Sequence, residues 1–258
     1  MNPFSFFGDI VCINLEHRKD RREHAESVFK QNEIPARFLT VTKHPNGGVY
    51  GCFDSHIKIV LESYRKGLDN VLVFEDDLIP TNSYNINNLM NAISFMNKER
   101  NWDILYLGYL VFNPNFADPF LNSPKLPNYN HIVRYNPSGT HAMVYSRRAI
   151  EKIIRSYQMY LGKTHYDIYL SQYVNLKNYC ITPMLFDQKF CFTSDIEARN
   201  ILEASARTTQ CFVDKNKVLY RVSYLKDIID SNIIYIAIVI ILLVCLLYIC
   251  CVYNIKTR

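Results

Sequence analysis

The chain has 258 residues, 49% hydrophobic and 21% charged, with a formal net charge of +5. Without an apolar C-terminal run, about 230 residues remain, enough for one larger α/β domain or two small ones. The modest positive balance suits an anionic ligand, but no dense Lys/Arg stripe interleaves with aromatic residues, so no nucleic-acid partner is expected.

Met1–Phe7 has neither the basic start nor the long apolar run of a signal peptide. Ile10–Leu15 reads as the first strand. It runs into Glu16-His17-Arg18-Lys19-Asp20-Arg21-Arg22, a charged turn opening a helix with Ala25, Val28 and Phe29 on one face. The basic cluster has two readings, a solvated helix start or guanidinium forks that meet a nucleotide phosphate. Arg37–Val41 reads as the second strand. The stretch from His44 to Cys52 contains Gly47, Gly48 and Gly51, which predicts a tight loop where backbone approaches something closely. It is not a Walker loop, because no Gly-Lys-Ser/Thr follows. Asp54 or Ser55 is expected to cap the next helix. His56 lies at its start, and Ile57, Val60, Leu61 and Tyr64 form its buried stripe.

The next strand, Val71-Leu72-Val73-Phe74, is apolar throughout and is expected to be buried on both faces. Glu75-Asp76-Asp77 follow without a spacer, and Pro80 with Thr81-Asn82-Ser83 ends the element. Ligands of an open α/β sheet sit beyond the carboxyl ends of its strands. Carboxylates placed there suit hard cations such as magnesium or manganese, which also bridge to phosphates. Two readings stand at this point: a metal–diphosphate site, or a strand end with solvated acids. A helix carrying Ile86, Leu89, Met90, Ile93 and Met96 comes next, then a buried strand over Trp102–Tyr109 that ends near Gly108. The alternation of strands and helices argues for a Rossmann-like parallel sheet. The lack of a spaced-glycine fingerprint after the first strand disfavours a nicotinamide enzyme.

Phe112–Asn130, rich in Pro, Asn and Phe, reads as a semi-ordered lid. Ser138–Tyr145 leads into Ser146-Arg147-Arg148 and a helix with Ala149, Ile150, Ile153, Ile154 and Tyr157. His165-Tyr166-Asp167 opens a further helix carrying Leu170, Tyr173 and Val174. Taken alone, Asp167 is also explained as a first-turn acid facing the helix dipole. Ile181–Phe192 reads as the last strand region, followed by Ser194-Asp195.

The eight cysteines are Cys12, Cys52, Cys180, Cys191, Cys211, Cys245, Cys250 and Cys251. They make no zinc-type pair of pairs and read as reduced, mostly buried thiols of a cytosolic domain. Cys250 and Cys251 are either acylation sites or ordinary apolar membrane residues. Ser231–Ile255 carries no charge, and roughly 20 such residues span a bilayer. With no export signal, the expectation is a single-pass tail anchor that leaves the main domain in the cytosol. The basic Lys256-Thr257-Arg258 opposes that orientation under the positive-inside rule. The lack of any Asn-x-Ser/Thr sequon agrees with it. Frequent Asn, Ile, Tyr and Lys with scarce Ala and Gly fit coding bias in an AT-rich genome, as in a large DNA virus or a parasite.

In sequence order, these landmarks resemble glycosyltransferase family 25, which includes lipopolysaccharide and procollagen galactosyltransferases. Ile13-Asn14-Leu15 with Arg18, Asp20 and Arg21 is similar to its opening motif. Gly48-Val49-Tyr50-Gly51-Cys52 with Ser55-His56 resembles its Gly-Glu-Ile-Gly-Cys and Ser-His segment. Phe74-Glu75-Asp76-Asp77 matches its Leu-Glu-Asp-Asp, and Trp102–Gly108 its next strand. Gly139-Thr140-His141-Ala142 with Ser146-Arg147, Asp167 with Leu170, and Pro183, Gln188 and Ser194-Asp195-Ile196 resemble the later motifs. Val49 stands where the family usually has Glu, and Met143 where an aromatic is common.

The resemblance implies a GT-A (Rossmann-like) α/β domain over residues 8–200, then an extension over 201–230 and the membrane helix over 231–255. It implies a UDP-sugar donor, UDP-galactose or UDP-glucose, and inverting transfer of the hexose to a protein or glycan acceptor. It also implies manganese or magnesium, held by Asp77 and Glu75 at the spaced positions of an Asp-x-Asp motif. Asp76 or Glu75 would contact ribose or metal-bound water. Asn14, Arg18, Gly48, Gly51 and His56 fall where the donor nucleotide is contacted, and His56 and His141 either support the site or supply a further ligand. Asp167 is the expected base, with Asp195 in reserve. Two other classes compete. One is a catalytically inactive, membrane-anchored protein that binds sugar nucleotide or glycan. The other is a metal phosphohydrolase, which expects a nucleophilic Asp or a two-metal His/Asp set that the sequence lacks.

Overall fold

The computed structural model describes residues 2–110, 125–126 and 128–189. Most of the expected lid, Asp195, the 201–230 extension, the apolar run over 231–255 and the cysteines from Cys191 onward lie outside the described residues. Among the described residues no helix is long and apolar enough to cross a membrane.

The strands are β1 (Ile10–Leu15), β2 (Arg37–Val41), β3 (Asn70–Glu75), β4 (Leu78–Pro80) and β5 (Ile104–Leu110), then β6 (Lys125–Leu126), β7 (Tyr129–Arg134), β8 (Ser138–Ser146), β9 (Asn178–Ile181) and β10 (Phe186–Gln188). The helices are α1 (Lys19–Gln31), α2 (Gly48–Arg65), α3 (Ile86–Lys98), α4 (Arg147–Tyr160) and the single turn α5 (Tyr166–Ile168), which continues as a π-helical turn over Tyr169–Tyr173. Eight strands form one sheet in the order β2-β1-β3-β8-β5-β9-β7-β6, and β4 pairs with β10 in a separate ribbon.

Period-2 alternation sends neighbouring strand residues into two apolar layers. On one face Cys12, Leu72, Phe74, Leu105 and Val144 pack with Ala25, Val28 and Phe29 of α1 and Leu89 and Ala92 of α3. On the other, Val11, Val71, Val73, Tyr106 and Met143 pack with Phe53, Ile57 and Val60 of α2 and Ile150 and Ile153 of α4. β3 is buried on both faces as its sequence predicts. Tyr64 and Met90, expected in the buried stripes, are instead more than two-fifths exposed.

The sheet is mixed rather than parallel. β1 runs parallel to β2 and β3, as a Rossmann-like half requires, and β9 runs parallel to β5. β8 lies between β3 and β5 and is antiparallel to both. Hydrophobic alternation reports burial but not strand direction, and the long connection after β5 gives the chain room to return reversed.

The glycine-rich stretch is also corrected. Gly47 takes φ 92° as the N-cap, and the helix begins at Gly48, so Gly48–Cys52 form its first turns rather than a loop. A Cβ on Gly51 would lie 3.0 Å from His44 Cβ, so the close approach expected there is made to the chain's own preceding turn. The last strand region resolves into β9 and β10, separated by Thr182–Leu185.

Asp103 joins several of these elements. Its fully buried carboxylate accepts hydrogen bonds from Arg148 Nε at 3.0 Å, Lys152 Nζ at 2.8 Å and the Lys177 backbone N–H at 2.6 Å. Removing it leaves the part-buried Lys177 N–H and two partly exposed cations without their acceptor at the start of β5. Asp103→Ala is therefore expected to lower the unfolding free energy by about 3 kcal/mol, and Asp103→Asn by less, in urea denaturation followed by circular dichroism.

Candidate functional site

The order of the sheet reverses at β1. β2 lies on one side and is reached through α1 on one face; β3 lies on the other and is reached through α2 on the opposite face. The crevice beyond the carboxyl ends of β1 and β3 is where such a sheet takes a ligand, and Ile13 pairs there with Glu75.

β3 ends at Glu75, and Asp76-Asp77 form the turn that follows. The alternation therefore stops and the three acids part. Asp76 and Asp77 face α1, where Arg21 Nη1 donates to Asp76 Oδ1 at 2.9 Å and to Asp77 Oδ2 at 3.1 Å. Asn14, near the end of β1, donates from Nδ2 to Asp76 Oδ2 at 2.8 Å and to the Arg18 carbonyl at 3.3 Å. Asp77 Oδ1 is buried and accepts no hydrogen bond among the described residues. Burial pushes both carboxyls up, and neighbouring acids add to it, against the pull of the Arg21 guanidinium. An unsatisfied carboxylate oxygen in a buried acidic turn fits a divalent cation, whose charge would favour the ionised form.

Glu75 faces α2 and β8 instead. Its Oε1 accepts from Thr140 Oγ1 at 2.5 Å and lies 3.4 Å from His56 Nε2, and Gln188 Nε2 lies 3.5 Å from its Oε2. Burial pushes its carboxyl up, but the hydrogen bond and charge of the His56 ring, together with the Thr140 hydroxyl, outweigh burial and hold it well below the usual range. His56 is itself fixed. Its Nδ1 lies 3.2 Å from Tyr145 Oη, the Tyr145 hydroxyl donates to Tyr166 Oη at 3.2 Å, and the Tyr166 ring stacks on the imidazole at 4.5 Å.

Asp167 reaches the same region from α5. Its Oδ2 accepts the Gly139 N–H at 3.1 Å, one residue before the Thr140 that binds Glu75, and its Oδ1 accepts the Ile168 N–H at 2.8 Å. Cys52 marks the shared neighbourhood: burial pushes its thiol up, and the charges of Glu75, Asp167 and Asp77 push it further. His141, the next residue of β8, is fully buried, with the Phe186 carbonyl as its polar neighbour, though neither ring nitrogen makes a well-formed hydrogen bond among the described residues. Burial pulls it down to about 4 despite the Glu75 carboxylate. A Cβ on Gly108 would lie 2.6 Å from His141 Nε2, so glycine is what lets β5 and this ring approach.

The structure thus brings Asn14, Asp76 and Asp77 together, and sets His56 and Glu75 beside them. Arg18 is a neighbour through its carbonyl, but its guanidinium is forked onto Asp20 at 3.0 and 2.8 Å. Gly48 and Gly51 lie on the first turns of α2, on the same helix as His56. Thr140, Gln188 and the Tyr145–Tyr166 pair have no role legible in the sequence, because their polar ends meet only through the fold. Arg21 had a signal, as it follows Arg18 by three residues, one turn along the same helix face.

No family model matches the chain. Procollagen galactosyltransferase 1 of Danio rerio is 26% identical over 182 residues, 58% of this chain and 29% of that protein. A probable inactive glycosyltransferase 25 family member 3 of Rattus norvegicus is 28% identical over 137 residues, 42% of this chain and 24% of that protein. The chain therefore spans less than a third of the length of these curated relatives, and the matches relate it to glycosyltransferase family 25. A solved glycosyltransferase involved in glycosylation of the major capsid of PBCV-1 aligns with a TM-score of 0.45 at 10% identity, over 79% of this chain and 99% of that one.

Arg21 pairs with both Asp76 and Asp77, and its side chain is 12% exposed. Both acids already hold their protons more tightly in the folded chain than the roughly 3.9 of a free Asp. Their contribution to stability is thus present at low pH and lost as pH rises through the folded values. Removing the guanidinium raises those values further. Arg21→Met is expected to cost little near pH 4 and about 3 kcal/mol near pH 7.5, measured by urea denaturation in chelator.

Proposed function

We propose, from the chain's relationship to glycosyltransferase family 25, that it transfers a hexose, galactose or glucose, from a UDP-sugar to a hydroxyl of a protein or glycan acceptor, with inversion at the anomeric carbon. The observation that carries this is the acidic turn at the sheet's switch point, with the buried Asp77 Oδ1 unsatisfied. Read this way, β2-β1-β3 is the nucleotide half of a GT-A fold, and β8 with α5 brings in the acceptor half.

Asp77 would hold manganese or magnesium, with Glu75 as the nearby second carboxylate. When bound, the cation supplies Lewis-acid neutralisation of the leaving diphosphate. The chain's own residues do the rest. Asn14 fixes Asp76 where it can accept from the ribose hydroxyls. Arg21 balances the acids while the site is empty of donor. Thr140 and His56 keep Glu75 ionised and pointed across the end of β3. Asp167, positioned by the Gly139 N–H, takes the proton of the acceptor hydroxyl as its oxygen attacks the anomeric carbon and the bond to the diphosphate breaks. Asp195, outside the described residues, is the reserve base. The uncharged run over 231–255 supports attachment of this domain to a membrane, facing the cytosol.

A second reading is favoured by one observation, the similarity to a probable inactive family member of the rat: a membrane-anchored protein that binds sugar nucleotide or glycan without turnover. A panel of UDP-sugars with manganese, reading released UDP and labelled acceptor, separates the two. Transfer is expected from one UDP-hexose, lost on chelation, and lowered at least 100-fold by Asp77→Asn and by Asp167→Asn. Uridine-nucleotide binding in a thermal-shift assay with no turnover of any donor would establish the second reading instead. Normal transfer by Asp167→Asn would remove that residue as base.

A further inference from the structure

Cys52 and His56 lie four residues apart on α2, on one face of the helix. That face looks at Glu75. Cys52 Sγ, a His56 ring nitrogen and a Glu75 carboxylate oxygen all lie within 4.8 Å of one another, and His56 Nε2 lies 3.4 Å from Glu75 Oε1. A tetrahedral zinc shell, with bonds of 2.0–2.3 Å, spaces its ligand atoms by roughly 3.3–3.7 Å. The His–Glu edge already has that length, and the cysteine needs to close by about 1 Å at most.

We infer that Cys52, His56 and Glu75 form a soft-metal site that takes Zn²⁺, set apart from the all-oxygen turn at Asp76-Asp77 by its thiol and imidazole donors. Thiolate and imidazole select zinc over magnesium or manganese, whereas carboxylates alone do not. The ring is oriented as a ligating histidine requires. Nδ1 is held by the Tyr145 hydroxyl at 3.2 Å and the ring face by Tyr166, which leaves Nε2 directed at Glu75. Three protein ligands leave the fourth position open, and the partly buried Glu75, whose side chain is 23% exposed, gives it a route to water or an added ligand. Binding releases two protons to solvent, one from Cys52 Sγ as the Zn–S bond forms and one from His56 Nε2, where zinc replaces the proton shared with Glu75. Glu75 belongs to both donor sets. On the reading given above, zinc would therefore remove a carboxylate from the donor site and inhibit transfer.

The test uses the purified full chain in a non-thiol reductant, with Co²⁺ as a spectroscopic probe and Zn²⁺ as competitor. One equivalent of Co²⁺ is expected to give thiolate-to-cobalt charge-transfer absorption that Zn²⁺ abolishes and a large excess of Mg²⁺ does not. Cys52→Ser should lose the band and weaken Zn²⁺ binding at least tenfold. Glu75→Gln, which keeps the thiol, should also weaken Zn²⁺ binding at least tenfold, and Cys211→Ser should change neither. A band that persists in Cys52→Ser, a wild type without one, or unchanged Zn²⁺ affinity in folded Glu75→Gln overturns the proposal. None of these readouts involves a sugar nucleotide. A chain that binds cobalt through Cys52 but, once stripped of it and supplied with manganese, turns over no donor would sink the transferase reading and leave this site standing.

Discussion

Three consecutive carboxylates follow a strand that is buried on both faces, and the rest of the site answers that constraint. Two like charges about 4 Å apart repel by about 4 kcal/mol where the effective dielectric is about 20. A regular strand would also have sent Glu75 and Asp77 to the same side. The chain ends β3 at Glu75 and turns, so the charge is divided. Arg21 takes Asp76 and Asp77, while Thr140 and the ring of His56 take Glu75. The compensation is unequal. Glu75 is held ionised, whereas the two aspartates are pushed toward their neutral forms, because one guanidinium shared between two buried carboxylates does not replace the water both have lost.

The reversed strand β8 makes this arrangement possible. Phe74 pairs with Ala142, so the residues just before Ala142 run past the carboxyl end of β3. Those residues are Gly139, Thr140 and His141. They deliver the N–H that positions Asp167, the hydroxyl that binds Glu75, and a buried imidazole beside the site. Further along the same strand Tyr145 reaches back to His56. A parallel strand at this place would have presented its own carboxyl end, and the sequence run Gly-Thr-His would have fallen at the opposite edge of the sheet. The central strand is therefore a packing element and the link between two carboxylates that are 92 residues apart in the chain, Glu75 and Asp167.

Much of this was legible in the sequence. Strands β1, β2 and β3 coincide with their apolar runs, and the buried faces of α1 and α4 follow the 3.6 period. The acids after β3 stood out because they follow a buried strand without a spacer. What could not be read has physical causes. Period-2 alternation is the same for a strand of either direction, so β8 was not recognised as antiparallel. Glycines near His44 read as a loop, but Gly48 and Gly51 are tolerated in the first helical turns, and Gly51 lets the preceding turn pack closely. Ile86, Met90 and Tyr64 continued apolar stripes yet sit exposed, since a stripe shows which residues may be buried and not how wide the partner surface is. Contacts such as Tyr145 to His56 join residues 89 apart and leave no local trace.

Two buried aspartates, compared within this one chain, separate structure from chemistry. Asp103 is fully buried and is met by two cationic side chains and a backbone N–H, so its charge is satisfied and its work is to hold β5, α4 and the lead into β9 together. Asp77 is nearly as buried, shares a single guanidinium with its neighbour, and keeps one oxygen without a donor among the described residues. Folding alone gives no reason to bury a carboxylate that way, since an unmade hydrogen bond to a buried charged group costs more than a neutral one. A chain that satisfies Asp103 completely can satisfy an aspartate. Leaving Asp77 incomplete, at the reversal point of the sheet, is the pattern expected where the missing partner arrives with a ligand.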